Sequence, residues 1–217
     1  GEVTTKNQLV LCREGVVFKQ TAPVIKLPAE ASVDDHLRLL SCLNSSTIAF
    51  WLRQVCMNKG YGAKGDGGRM TAEDFDNFFA FNSTNVKKAP VTDQLEAQRL
   101  TATRRLDALG QQLAALEPSQ LFRNHTPTPA LIDETASRIA TIRAEMIFLQ
   151  EELDWLCYQA YGILEEAPIH GGLDAWATEP GPDAIPLQLG ERAFEIHLAR
   201  EQAAGREETS WFTRHAN

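Results

Sequence analysis

The sequence predicts an α+β protein that is mostly helical. We expect a small mixed α/β lobe, then a long antiparallel helical hairpin, then an irregular C-terminal segment with a short helix. Short β-branched runs lie near the start, apolar residues recur every three or four positions from about residue 91, and proline and glycine are frequent after residue 166. These changes of pattern place the boundaries of three regions at residues 1–90, 91–166 and 167–217.

The first region begins with β-type sequence and continues into two helices. Turn-like residues separate three short runs that we predict to be strands, at 8–12, 16–19 and 24–27. Ser32, followed three residues later by Asp35, is a capping-box pattern that predicts the start of a helix. Asn44-Ser45-Ser46 then interrupts and predicts caps for a second helix over 47–57. Because that helix is apolar nearly all round, we expect it to be buried.

A glycine-rich segment follows the second helix. Residues 58–69 contain five glycines in twelve positions, so neither a helix nor a regular strand is expected there. Four phenylalanines after it predict a return to the core: Phe75, Phe78, Phe79 and Phe81.

The spacing of apolar residues becomes strictly helical in the second region. The outgoing helix carries Ala102, Leu106, Leu109, Leu113 and Leu116, and the returning helix carries a similar series from Ile132 to Ile163. Pro118 is expected to end the first helix, and the stretch with Pro127 and Pro129 to connect the two. Such a seam lets two helices pack along their lengths, which predicts the hairpin. In the third region a short helix is expected over 191–202.

Composition and charge exclude several protein classes. The 217 residues are 43% hydrophobic and 23% charged, which excludes wholesale disorder, and the longest apolar run is far too short to cross a membrane. No secretion signal is present at the start, so we expect a cytoplasmic location, with the four scattered cysteines reduced and buried. The start also lacks methionine, and we expect a fragment of a longer protein.

The net charge of −8 is unevenly distributed. Residues 51–90 carry six basic against four acidic residues, whereas 91–166 carry six basic against twelve acidic ones. An anionic partner is therefore expected to meet the 51–90 segment. Phosphate-loop, serine-hydrolase and metalloprotease motifs are absent, and the histidines have no metal-ligand spacing. The sequence therefore predicts no catalytic residues and no metal site.

Five blocks of sequence between about residues 16 and 215 are distinctive: APVIKLP, LLSCLNSSTIAFWLRQVCMNKG, EELDWLCYQAYGI, PLQLGERAFEIHLAR and TSWFTRH. Together they resemble PglX-type adenine-specific DNA methyltransferases of BREX and phage-growth-limitation systems. The resemblance implies a C-terminal fragment that includes part of the target-recognition region. The family's S-adenosylmethionine loop and Asn-Pro-Pro-Tyr motif do not occur in this chain. Methyl transfer, and binding of S-adenosylmethionine as cofactor, are therefore expected in the parent protein outside this chain.

A recognition module needs cations for phosphates and side chains that hydrogen-bond to base edges. The predicted contacts to double-stranded DNA are Asn58, Lys59, Tyr61, Lys64, Arg69, Lys87 and Lys88. The hairpin is expected to be a rigid spacer that sets the distance of this lobe from the parent's catalytic domain or from a second lobe. Alternatively, the glycine-rich segment is a surface loop and Lys87-Lys88 a solvated pair. The chain is then a protein-interaction module that docks on other defence-system proteins, with little DNA contact of its own. An independent enzyme with an unfamiliar site is a third alternative.

Overall fold

A computed structural model provides the structure of the chain. It describes residues 3–4, 7–13, 24–58, 79–123, 126–169, 198–199, 201–206 and 208. The described elements are β1 (Val3–Thr4), α1 (Val33–Leu43), α2 (Ser46–Val55), β2 (Met57–Asn58), β3 (Phe79–Ala80), α3 (Ser83–Val86), α4 (Glu96–Ala115), α5 (Pro118–Leu121) and α6 (Pro129–Ala160). The prediction of a mostly helical chain is confirmed. Of the short helix predicted over 191–202, the described residues 198–199 and 201–202 are helical.

The described strands form one small antiparallel sheet in the order β1-β3-β2. Ala80 of β3 lies opposite Val3 on one side and opposite Met57 on the other. The sheet therefore brings the start of the chain against the residues that flank 59–78.

Two of the three predicted strands, at 8–12 and 24–27, are wrong, and the third, at 16–19, lies outside the described residues. The backbone of Leu9 hydrogen-bonds to the side-chain amide of Asn44, which donates to its carbonyl over 2.9 Å and accepts from its N–H over 2.8 Å. A side chain thus supplies the partner that a neighbouring strand would provide. Val10 of this run and Val24 and Ile25 of the later run are exposed, so these runs have little buried apolar surface to favour a sheet.

Helices α1 and α2 begin at the predicted caps. Ser32 and Asp35 form a reciprocal capping box, and the Ser45 hydroxyl accepts a hydrogen bond from the Ile48 N–H. The expectation that the second helix is buried all round is wrong, because Phe50 is 68% exposed. Only one side of α2 packs on the core of the first region, which comprises Leu43, Ile48, Leu52, Cys56 and Phe79.

The long helices α4 and α6 pack against each other around Leu109, Leu116, Ile142 and Leu149. Arg105 of α4 forms an ion pair with Glu145 of α6. Nearer the first lobe, Arg99 of α4 and Cys157 of α6 both contact Ser41. Residue numbers therefore rise along α4 as they fall along α6, so the two helices are antiparallel.

Prolines lie at helix starts around the turn between α4 and α6. Pro118 begins the short helix α5 and Pro129 is the first residue of α6. Proline suits this position because the first N–H of a helix has no partner within the helix. Among the described residues, none of the helices has the length and apolar character that a membrane span requires.

Candidate nucleic-acid interface

The predicted DNA-binding segment is anchored at two adjacent points. Asn58, the last residue of β2, lies directly opposite Phe79, the first residue of β3. Phe79 is buried in the core of the first region, and the guanidinium carbon of Arg53 lies 5.8 Å from the centroid of its ring. The two ends of the 59–78 segment are therefore attached at neighbouring positions, next to the core of the first region. Of the predicted site, Lys59, Tyr61, Lys64 and Arg69 lie outside the described residues, and only the backbone of Asn58 is described.

The two predicted lysines follow directly after helix α3, which is attached to the end of α2. The Asn82 side chain caps α3, and Asn85 donates from its side-chain amide to the carbonyl of Val55 over 2.8 Å. Lys87 and Lys88 follow Asn85 by two and three residues, and both are exposed. The structure thus brings these lysines close to the C-terminal end of α2 and the start of the 59–78 segment.

The two described stretches that hold the ends of the 59–78 segment contain no acidic residue. Residues 44–58 and 79–92 contain Arg53, Lys87 and Lys88 but no aspartate or glutamate. The four acidic residues counted in 51–90 all fall within 59–78. The described stretches are therefore locally positive, whereas 59–78 carries four acidic against three basic residues and the chain as a whole is acidic.

A buried carboxylate fixes the N-terminus of α2. Asp154 of α6 is fully buried and accepts a hydrogen bond from the backbone N–H of Ser46 over 2.7 Å. The Ser46 hydroxyl is 2.8 Å from the Tyr158 hydroxyl on the same helix. Negative charge at a helix N-terminus interacts favourably with the helix dipole and satisfies a free N–H. Asp154 is therefore a buried hydrogen-bond acceptor.

A buried arginine joins α4 to the end of α1 and to the connection before α4. The Arg99 guanidinium donates to the Ser41 hydroxyl over 2.9 Å and to the carbonyls of Thr92 and Gln94 over 2.6 and 3.0 Å. Leu95, next to these carbonyls, has a left-handed backbone with φ of 52°. That conformation costs a non-glycine residue about 1–2 kcal/mol, which the surrounding hydrogen bonds offset.

Two aromatic residues at the end of α6, Tyr158 and Tyr161, contact the first region, and Trp155 packs beside Tyr158. Trp155 is buried, and its ring meets that of Tyr158 edge-on at 5.4 Å between centroids. The Tyr161 hydroxyl donates to the Pro90 carbonyl over 2.6 Å, and burial raises the pKa of that hydroxyl. These contacts agree with a packing role and leave the three rings unsuited to stacking on bases.

Three of the four cysteines are buried, as expected, and Cys12 is exposed. Burial raises the pKa of the Cys157 thiol to about 12, and the nearby carboxylate of Asp154 adds to the shift. A thiol with so high a pKa is a poor nucleophile and a poor metal ligand. Within the part of the chain that the structure describes, no group of three His, Cys, Asp or Glu side chains has the geometry of a metal site.

The sequence patterns missed Arg99 and the distant partner of Asp154. No local motif marks Arg99 as buried, and none shows that Asp154 binds the N-terminus of α2. The apolar neighbours of Asp154, Leu153 and Trp155, were the available signal, because a charge between two core residues on one helix turn has to find a polar partner.

The family comparison finds one match within the chain. Residues 146–217 match a domain of unknown function, DUF7008. This match begins within α6 and includes the Asp154 and Tyr158 contacts to α2.

A curated relative matches nearly the whole chain. The protein is named adenine-specific methyltransferase PglX, from Streptomyces coelicolor, and it is 42% identical over 216 residues. The alignment covers 98% of this chain but 17% of the relative, so the chain spans about a sixth of that protein's length. No solved structure matches the chain. The predicted resemblance to PglX-type adenine-specific methyltransferases is confirmed over almost all of the sequence.

Proposed function

We propose that this chain, similar along 98% of its length to a PglX-type methyltransferase, is part of the DNA-recognition region of such an enzyme. The observation that carries the proposal is the surface formed by α2, β2, β3 and α3. It exposes Lys87 and Lys88, its described residues include no acidic side chain, and it holds both ends of the segment with Lys59, Lys64 and Arg69. Clustered cations can neutralise DNA phosphates, and this allows an otherwise acidic protein to bind DNA.

In this proposal the chain selects the DNA site and does not transfer the methyl group. The parent protein would transfer a methyl group from S-adenosylmethionine to adenine N6, with the target base flipped out of the duplex. That cofactor would bind in the catalytic domain of the same parent chain. The parent protein would act in the cytoplasm as part of a phage-defence system. Lysines and arginines of the recognition surface would position the duplex through its phosphates, and hydrogen-bonding side chains would supply the sequence preference.

The paired helices α4 and α6 support a spacer role in this proposal. Arg99 of α4 binds the end of α1, Asp154 of α6 binds the start of α2, and the Arg105–Glu145 ion pair lies further along the two helices. A recognition lobe held at two points transmits its orientation to the helices. The spacer would thereby keep the DNA-binding surface at a set distance from the catalytic domain.

The test is DNA binding by the full 217-residue chain, measured by fluorescence anisotropy on random-sequence duplex at about 50 mM and about 200 mM salt. The proposal predicts binding that weakens steeply as the salt concentration rises. Binding should be lost in the triple variant in which Lys59, Lys64 and Arg69 are all replaced by glutamate. Absence of binding at the lower salt concentration contradicts it. A protein-interaction module without DNA contact would instead retain its partners after these charge reversals.

A further inference from the structure

Helix α2 has an outward face directly opposite its buried face. Ile48 and Leu52 are buried in the core, whereas Phe50 is 68% exposed and Gln54 is exposed. At about 100° per residue, Phe50 and Gln54 lie roughly 180° around the helix from the buried pair. Because they are four residues apart, the two exposed side chains are neighbours on one surface.

This face is held on a fixed helix. The N-terminus of α2 is bound by Asp154 and its buried side packs on Leu43 and Phe79. At the other end, Asn85 binds the Val55 carbonyl and so ties α3 to α2. Side chains on a rigid element are positioned more precisely than side chains on a loop, which is what base recognition requires.

The charge around the face fits one kind of partner. Lys87 and Lys88 lie just beyond the Asn85 contact, and neither 44–58 nor 79–92 contains a carboxylate. The exposed phenylalanine and glutamine can contact base edges in duplex DNA, and the nearby cations can contact its phosphates. The major groove admits an α-helix, and α2 is about 15 Å long.

We infer that α2 enters the major groove and that Gln54 is a specificity-determining residue, with Phe50 beside it. This inference rests on the proposed function and assigns the base readout to a helix outside the predicted cationic set. A glutamine amide both donates and accepts, so it pairs in bidentate fashion with N6 and N7 of adenine. A phenylalanine ring contacts the C5-methyl group of thymine. The expected target is therefore an A·T-containing step.

The experiment is selection of bound sequences from a random duplex pool by the full chain, followed by competition binding between the selected and a scrambled duplex. The unsubstituted chain should select a motif with A·T at one or more positions. Gln54→Ala should reduce discrimination at one position by roughly 5- to 150-fold. Phe50→Ala should relax a neighbouring thymine preference. Gln98→Ala is the matched control, an exposed glutamine on α4, and should select the unchanged motif.

The outcomes separate this inference from the proposed function. An unchanged motif with both Gln54→Ala and Phe50→Ala overturns the inference and leaves DNA recognition standing, as does salt-sensitive binding without any selected motif. If the two substitutions instead alter self-association in sedimentation velocity while the motif persists, the face is a contact between copies of the chain. No binding to any duplex overturns the proposed function and the inference together.

Discussion

The backbone N–H of Ser46 donates a 2.7 Å hydrogen bond to the carboxylate of Asp154, 108 residues further along the chain. The bond places a buried negative charge at the N-terminus of α2 and fixes that helix against α6. The orientation of the proposed DNA-contacting surface therefore depends on a residue in the second region, within the part of the chain that matches DUF7008.

Asp154→Ala should destabilise the chain by about 1.5–3 kcal/mol, because it removes a charge-assisted hydrogen bond and leaves the Ser46 N–H buried without that acceptor. Asp154→Asn keeps the shape and an acceptor oxygen and should cost less. Asp133→Ala, an exposed position on the same helix, is the control. Urea unfolding monitored by circular dichroism measures the three. Equal effects of Asp154→Ala and Asp133→Ala would contradict the structural role of this bond.

Arg99→Ala should lower the free energy of unfolding by about 1–3 kcal/mol, since the buried Ser41 hydroxyl and the carbonyls of Thr92 and Gln94 lose their donor. Arg104, on the same helix, forms an exposed ion pair with Asp34, so Arg104→Ala should leave the urea midpoint nearly unchanged. Both variants are compared at one pH and salt concentration. If the two substitutions proved equally mild, Arg99 would not hold the connection before α4.

The stability of the chain should fall in alkaline solution because of Cys157. Its folded-state pKa of about 12 lies above the ordinary value of 9.0, so the unfolded thiol ionises first as the pH rises. The stabilisation is complete below pH 9.0 and is lost progressively toward pH 12, at ~1.4 kcal/mol per pH unit.

Urea midpoints measured across this pH range test the effect. Cys157→Ala removes the titrating group, so its stability should depend less steeply on pH than that of the unsubstituted chain. Comparison of the two slopes cancels the other alkaline groups and the packing loss. Identical slopes would show that Cys157 ionises equally in the folded and unfolded states.

The elements that the sequence predicted well are those with local signals. The Ser32–Asp35 capping box and the Ser45 cap mark helix starts with side chains only three residues from the N–H that they bind. The three-and-four spacing predicted the core of α4 and α6, because each turn of those helices repeats the same burial. The assignment of these helices to a separate spacer region stays a prediction.

The features that the sequence did not predict depend on residues far apart in the chain. The β-branched run at 8–12 has strand propensity, yet Asn44, more than thirty residues away, supplies the hydrogen bonds of Leu9. The sequence of α2 did not predict that Phe50 faces outward. Because apolar residues occur on most sides of this helix, their spacing does not show which side is buried. Asp154 and Arg99 are buried only once α1, α2, α4 and α6 meet.

The central claim is that the α2–α3 surface binds the DNA backbone, and the salt dependence of binding tests it most directly. Affinity for random duplex is measured as a function of salt for the full chain, for Lys87→Glu/Lys88→Glu and for Arg138→Glu/Arg143→Glu. The last is the matched control, because those two exposed arginines lie on the acidic helix α6. We predict that the lysine reversal weakens binding and lowers the slope of log affinity against log salt by about 2, and that the α6 reversal changes the slope little. A lysine reversal that left the slope unchanged, or an equal effect of both reversals, would contradict the claim.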